Sequence, residues 1–567
     1  MTFDIHAQVM LDHHSTKTIV VTSALPYANG QIHLGHIAST YLPADIYTRY
    51  SRLAGLTAYH ICASDDFGTP ILIRSEQEKK SPSEYVAYWN RRDVSDFHTL
   101  GITFDLFSRT SSPENKTLVQ SIFNKLQENG HIYEKEVIQP FCPVDNKFLP
   151  DRFVVGKCPN CGAEGQYSDL CENCGKVPEK ILDPKCGICG ASPTEKISNH
   201  YFFRLSEFSN KLRFWLIQNV NLQDDVKRYV LNWIDNGLVD WDITRDIEWG
   251  IPIPTSDANG KVFYGWFDNH ICYISTLLAL AKQQNKDGKK VWNESTIYHF
   301  IGKDIVYHHY LFLPAIRLGI NEEYKLPDYL PTRGHLLLKN KKISKSRNWY
   351  ISIEDFTRNF DPDYLRFYLA SITPYSQDDV NFDWDAFREK INNELIANVG
   401  NFINRTLSFI QAKFGRSIPP FSKLETYDLD VINRINNIGT EVGNKISSNQ
   451  LNRAVKDILL FSTYLNQYFQ IKRPWNNSSA GTTLYVSGNA VRTLAVILAP
   501  FIPASSEKIW GQLNIGDSVH RQVWSSCGEM HLAPGHHIGN VMPLFKKIEK
   551  ETIDKLKVET MGENRNH

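Results

Sequence analysis

Pro26-Tyr27-Ala28-Asn29-Gly30-Gln31-Ile32-His33-Leu34-Gly35-His36 is the stretch from which the fold of this chain is read. Before it, Thr18-Ile19-Val20-Val21-Thr22 is a β-branched run that predicts a buried strand. After it, residues 37–50 predict a helix, so the motif sits on a strand-to-helix turn with Asn29-Gly30 supplying the tight bend. His33 and His36 are three apart and share one face of a helix start. A helix N-terminus offers free N–H groups and positive potential to an anion. Two imidazoles added there can donate to a phosphate chain and stabilise charge that grows during its displacement. Taken alone, the pair reads equally as two surface histidines on an ordinary turn.

A matching partner lies far downstream, Lys342-Ile343-Ser344-Lys345-Ser346, in a loop running from Gly334 to Asn348. Two lysines flanking small hydroxyl residues on a mobile loop can close over a polyphosphate as point charges. Alone this pentapeptide is also an ordinary solvated basic loop. Together the two motifs resemble the paired signatures of the class I aminoacyl-tRNA synthetases, His-x-Gly-His and Lys-Met-Ser-Lys-Ser, with Ile343 in place of Met. In that family both signatures hold ATP while an amino acid is joined to its α-phosphate.

The bulk composition is permissive. The 567 residues suggest roughly four domains. Lys plus Arg equals Asp plus Glu at 62 each, so no global basic field advertises nucleic acid, and any RNA must be met by local patches. No apolar run approaches the ~20 residues that span a bilayer, and the N-terminus lacks a basic-then-apolar signal pattern. A cytoplasmic protein with no membrane or DNA partner is expected.

From Lys17 the pattern alternates strand and helix, as in a parallel α/β sheet. A second strand, residues 57–62, runs into Ala63-Ser64-Asp65-Asp66-Phe67-Gly68-Thr69-Pro70. Ligands of open α/β sheets gather at such carboxyl ends, and a carboxylate there can pair with an ammonium group. Outside this context Asp65-Asp66 reads as a turn that caps the helix near Ile71.

The composition then shifts to Cys, Gly, Pro and Asn. Cys158-x2-Cys161-x9-Cys171-x2-Cys174 is a pair of knuckles whose four thiolates can close a tetrahedral Zn²⁺ site. A redox Cys-x-x-Cys pair is the alternative, disfavoured because two such pairs recur in series. Cys142, Cys186 and Cys189 form a further half-set, with Asp145 in the place of a fourth cysteine; a second zinc there is left open. Cys62, Cys272 and Cys527 read as small core residues. Beyond Asp361 the periodicity is helical. Val431, Ile435, Ile438 and Val442 keep the stripe of a helix packed on one face, and a bundle follows to about Pro543.

Over residues 17 to about 557 the chain resembles the methionyl-tRNA synthetases. The resemblance rests on the two signatures, the knuckle insertion, His299-Phe300-Ile301-Gly302-Lys303-Asp304, and Asp363-Tyr364-Leu365-Arg366-Phe367-Tyr368-Leu369. It implies a Rossmann-like parallel sheet split by a zinc-knuckle insertion and followed by an all-α anticodon-binding bundle. The boundaries expected are 1–16 for an N-terminal extension, 17–112 and 241–330 for the catalytic halves, and 113–240 for the insertion. Residues 331–390 would carry the lysine loop and contact the tRNA stem, 391–543 the anticodon domain, and 544–567 a charged tail.

The resemblance implies ligation of methionine to its tRNA, through methionyl-adenylate and then transfer to the tRNA 3′ end. His33, His36, Lys342 and Lys345 would act on ATP, joined by Gly302, Asp304 and Ser344, with Mg²⁺ accompanying the ATP. Ala24, Leu25, Tyr27, Asp65, Trp266, Tyr273, Ile305 and His309 would hold methionine. Asn401, Arg405 and Trp475 would read the CAU anticodon, since splayed bases need hydrogen-bonding and stacking partners. Asn269-His270 and His308 depart from the relatives' usual Ala-Pro and Phe, which leaves the pocket's detailed shape open. One or two zinc ions and a monomer are expected. The other readings are a different class I aliphatic synthetase, a nucleotidyltransferase acting without tRNA, and a catalytically silent zinc-containing RNA-binding protein.

Overall fold

The computed structural model describes residues 18–168, 171, 173, 174, 176, 178–255, 258, 260–344, 349–476 and 480–561. The extension 1–16, Lys345 and residues 562–567 lie outside the described residues.

Five parallel strands organise the molecule: β1 (Thr18–Ser23), β2 (Thr57–Ser64), β3 (Leu106–Arg109), β4 (Thr296–Gly302) and β5 (Thr332–Arg333). Their spatial order is β5-β4-β1-β2-β3. Val20 sits opposite Tyr59 on one side and Ile297 on the other. Ile19, Val20 and Val21 are completely buried, because helices cover both faces of the sheet. After β1 the chain moves toward β2 and β3, and only later returns to place β4 on the opposite flank. The carboxyl ends of β1 and β4 therefore flank a topological switch, where such sheets leave a crevice.

The helix after β1 is not regular. Leu34–His36 passes into a π-helical turn, Ile37–Tyr41, and then into Leu42–Leu53. Pro43 has no N–H to give the preceding turn, and Leu42 N–H reaches back to Ile37 C=O. The same device follows β4, where the π-helical turn His308–Phe312 precedes Leu313–Gly319 and its Pro314. A uniform α-helix over 37–50 is thus corrected at its first turn.

Between β3 and β4 the chain builds an antiparallel hairpin, Ile132–Cys142 with Thr194–Phe203. At its tip lies a small sheet of Val154–Lys157, Gln166–Tyr167 and Leu182–Cys186. The lysine segment, expected as a loop, is a hairpin instead. Leu336–Leu338 pairs with Lys341–Lys342 across Lys339-Asn340, both at positive φ (51° and 59°) as a two-residue turn requires.

The C-terminal part is helical, with Asn401–Phe414, Thr426–Ser447, Leu451–Lys472, Ala480–Leu498 and Pro503–Leu513. Val431, Ile435, Ile438 and Val442 are all buried along one stripe. The charged tail docks back: Lys550–Met561 buries Ile553 and Leu556, and Lys557 pairs with Asp385.

Candidate active site and metal centres

The crevice at the switch point is a cleft of about 330 Å³. It is lined by Ala24, Leu25, Tyr27, His33, His36, Trp266, Tyr273, Gly302, Asp304, Ile305, His309 and Lys342. The two signatures meet directly there. Leu34 N–H donates to Ile351 C=O at 3.2 Å, and His33 bridges Ser352 in antiparallel fashion. Ser344 and Trp349 exchange both backbone hydrogen bonds at 2.9 Å, closing the base of the segment that contains Lys345. A Cβ on Gly35 would lie 3.1 Å from the His33 ring and 3.2 Å from Ile343 Cδ1. The glycine lets one motif seat against the other.

The two signature imidazoles stack, with ring centroids 3.6 Å apart and planes 18° from parallel. His36 Nδ1 accepts the His33 backbone N–H at 3.3 Å, and the His36 backbone N–H donates to His33 C=O at 3.0 Å. A neutral His36 ring then carries its proton on Nε2, as a donor suited to phosphate oxygens. Lys342 extends from the hairpin into the same cleft.

The loops after β1 and β2 are tied together. Ala28 N–H donates to Asp65 C=O at 2.9 Å, and Asp65 N–H donates to Pro26 C=O at 2.8 Å. Asn269, which lines the cleft, reaches Asp65: its Nδ2 donates to Asp65 Oδ2 at 3.1 Å. Asp65 Oδ1 is buried without a partner among the described residues. Burial pushes the Asp65 carboxyl up to about 7; the Asn269 hydrogen bond opposes this and the neighbouring Asp66 adds to it. Asp66 is not a helix cap: it accepts from Ser64 Oγ at 2.7 Å and Arg109 Nε at 2.9 Å.

On the opposite wall His309 Nδ1 faces Ile305 C=O at 3.1 Å, so Nδ1 carries the proton. Nε2 then accepts from Tyr273 Oη at 2.9 Å. Burial holds the His309 imidazole neutral, at about 4. His308 stacks on Trp266 (3.8 Å, 8°), and His270 stands edge-on to His309 at 5.0 Å. Both ring nitrogens of His270 are buried without a partner among the described residues. Asn269, His270 and His308 thus pack around the candidate methionine pocket.

Two cysteine clusters come together. Cys158, Cys161, Cys171 and Cys174 form one, and Cys142, Asp145, Cys186 and Cys189 the other, with ligand atoms of each set within 4.8 Å of one another. Sulfur separations of 3.6 Å (Cys161–Cys171) and 3.9 Å (Cys158–Cys174) match the ~3.8 Å edge of a tetrahedral zinc–thiolate site. In the second set Asp145 Oδ2 lies 3.2 Å from Cys142 Sγ and 3.1 Å from Cys186 Sγ. Both clusters can hold zinc.

In the bundle, Asn401 and Arg405 lie one turn apart on Asn401–Phe414. The Arg405 guanidinium stands over Phe469 at 4.8 Å and Trp475 at 5.7 Å. Lys413 Nζ holds the loop carrying Trp475, donating to Pro474 C=O at 2.8 Å and Trp475 C=O at 2.9 Å. Several cleft residues escaped the sequence reading, among them Ser39, Thr40, Tyr41, Leu336 and His335, together with the role of Asn269 as a bridge to Asp65. The only signal for His335 was its place beside Gly334.

The family described as tRNA synthetases class I (M) matches residues 19–407, and the anticodon-binding domain of tRNA ligases matches residues 428–560. The methionine–tRNA ligase of Methanopyrus kandleri is 40% identical over 551 residues, covering 95% of this chain and 81% of the relative. That of Pyrococcus furiosus is 39% identical over 568 residues, covering 96% and 77%. The fold is that of the Mycobacterium tuberculosis methionyl-tRNA synthetase solved with methionyl-adenylate, with a TM-score of 0.78, 21% identity and 93% of this chain covered. By sequence and by fold, the chain belongs to the methionine–tRNA ligase family of class I tRNA synthetases.

Proposed function

We propose that this chain activates methionine with ATP and transfers it to the 3′ end of a methionine tRNA with a CAU anticodon. The observation that carries the reading is one cleft joining both phosphate-binding signatures to a wall of Tyr27, Trp266, Tyr273 and His309. Tyr27, Trp266 and Tyr273 enclose a thioether through sulfur–aromatic contacts, with Ala24, Leu25 and Ile305 completing the wall. Asp65 pairs with the substrate ammonium. The methionine carboxylate attacks the α-phosphorus in line and pyrophosphate departs. His33, His36, Lys342 and Lys345 neutralise the phosphates, with Ser344 at the hairpin and Mg²⁺ accompanying ATP. Gly302 and Asp304 receive the ribose. The tRNA terminal ribose hydroxyl then attacks the anhydride carbonyl and AMP leaves. Catalysis of this kind comes from positioning and charge stabilisation, without a protein nucleophile.

Asn401 and Arg405 hydrogen-bond splayed anticodon bases, and Trp475 stacks one. Zn²⁺ at Cys158, Cys161, Cys171 and Cys174, and a second ion at Cys142, Asp145, Cys186 and Cys189, hold together the insertion tip, where few apolar residues pack. Cysteines gathered as metal ligands suit a reducing cytoplasm, and no described helix is long and apolar enough to cross a membrane.

The test is ATP–pyrophosphate exchange with the purified chain and each of the twenty amino acids. Exchange with methionine alone is expected. Exchange led by leucine, isoleucine or valine would remove the pocket assignment, and exchange with none would remove the enzymatic reading.

A further inference from the structure

The hairpin after β5 brings one more side chain to the cleft, His335. A Cβ on Gly334 would lie 2.1 Å from Asp378 C=O, so the two backbones touch and only glycine fits. His335 N–H then donates to Asp379 Oδ1 at 2.7 Å, and its C=O accepts from Val380 N–H at 3.0 Å. Asp379 is itself held by Lys303 at 2.7 Å. With its backbone pinned on both sides, the His335 ring stands between two carboxylates. Nε2 is 3.4 Å from Asp304 Oδ1, and Nδ1 is 3.9 Å from Asp379 Oδ1.

Asp304 needs such a partner. Its side chain is 59% exposed at the mouth of the cleft. It sits on the single turn Lys303–Ile305. A Cβ on Gly302 would meet Asp304 Oδ1 at 2.7 Å, so the carboxylate lies back over that glycine. An exposed carboxylate on one turn samples several rotamers, and ordering it on binding costs free energy that a fixed neighbour removes in advance.

We propose that His335 is a positioning residue for the nucleotide: its imidazole holds the Asp304 carboxylate in the orientation that receives the ribose hydroxyls of ATP. This rests on the reading of the cleft as the ATP site. His335 acts through Asp304 and makes no bond to the reacting phosphorus.

Methionine-dependent ATP–pyrophosphate exchange tests the assignment in wild type, His335→Phe, His335→Gln, Asp304→Asn and the double variant His335→Phe/Asp304→Asn. His335→Phe keeps the ring volume and loses the donor. It should raise the KM for ATP about tenfold while leaving the KM for methionine and the thermal midpoint unchanged. His335→Gln, whose amide can reach Asp304, should recover most of that loss. In the Asp304→Asn background His335→Phe should change the KM for ATP by less than about twofold, because the group it positions is gone. The same tenfold cost in that background, or an equal rise in both KM values, overturns the proposal. Should His335→Phe fail to fold, His335→Ala takes its place in the cycle. Failure of the underlying reading looks different: wild type then gives no methionine-dependent exchange, and the assignment falls with it.

Discussion

Asp65 is the residue whose ionisation the proposed chemistry depends on. Burial raises its carboxyl to about 7, with Asn269 opposing and Asp66 reinforcing the shift. Only the ionised form pairs with the methionine ammonium. The KM for methionine should therefore be low above about pH 7 and rise as pH falls through that value, approaching tenfold per unit well below it. Exchange kinetics across the range show this directly; a flat KM would remove Asp65 from the ammonium site, and Asp65→Asn should be weak at every pH. Gly35 supports a second prediction. An added methyl meets the His33 ring at 3.1 Å and Ile343 at 3.2 Å. Gly35→Ala should push the signatures apart by a few tenths of an ångström and lower the exchange rate roughly tenfold, since misplacement at that scale weakens positioning. The thermal midpoint should barely move, whereas a large fall would assign Gly35 to stability.

At the scale of elements, the π-helical turns Ile37–Tyr41 and His308–Phe312 each run into a helix with proline at its second position, whereas the longer π-helical segment Ile391–Gly400 has no proline. Pro43 and Pro314 each widen the turn before them, and both widened turns flank the cleft. The cysteine clusters each bring their ligand atoms within 4.8 Å of one another beside a small apolar cluster of Leu149, Phe153, Val154 and Ile181. Two zinc ions per chain are expected by elemental analysis, with Cys158→Ser removing one and Cys142→Ser the other. The Cys3Asp cluster should release its ion to a chelator first, because it offers one carboxylate oxygen where the other cluster offers a thiolate. Simultaneous release from both would contradict that order. In the bundle, loss of the Trp475 stacking surface should cost about 1–3 kcal/mol of tRNA binding. Trp475→Ala should thus raise the KM for tRNA at least about fivefold while leaving pyrophosphate exchange intact.

At the scale of the molecule, Arg366 joins the sheet to the bundle. Its guanidinium is completely buried and reaches Asp45 Oδ2 at 2.7 Å, Leu100 C=O at 3.3 Å, Pro500 C=O at 2.8 Å and Phe501 C=O at 2.9 Å. Asp45 lies on Leu42–Leu53, continuous with the signature helix, and Pro500 and Phe501 lie where two bundle helices meet. Burial would raise the Asp45 carboxyl, but Arg49 and Arg366 beside it hold it down at about 2. Its folded value lies below the unfolded one near 4, so its stabilisation is full above about pH 4 and lost toward pH 2. Arg366→Met leaves that carboxylate buried and unpaired by its main interdomain partner, at a cost of about 3–5 kcal/mol. Urea unfolding should then show the bundle separating from the sheet in two steps. A single unshifted transition would show that the joint lies elsewhere. The close approach of Thr426–Ser447 depends on glycine too: a Cβ on Gly439 would fall 2.1 Å from Cys527 Sγ.

What the sequence determined by itself was chemistry encoded over short spans. His33-Leu34-Gly35-His36, Lys342-Ile343-Ser344 and the Cys-x-x-Cys pairs were legible because helix starts, phosphate cradles and tetrahedral ions each demand particular residue types at short, fixed spacing. The alternation of strands and the bundle stripe at Val431 to Val442 followed from the same local rules, and the family from the resemblance these motifs carry. Only the tertiary structure decided that Asn269 would reach Asp65, that His335 would stand between Asp304 and Asp379, and that Arg366 would meet Asp45. Each of these pairs joins residues far apart in the chain, and no periodicity along it records such a meeting. Lys339-Asn340 and Pro43 show the same limit within a single element. A turn and a widened helix were written there, but their geometry depended on backbone partners that only the folded chain brings into register.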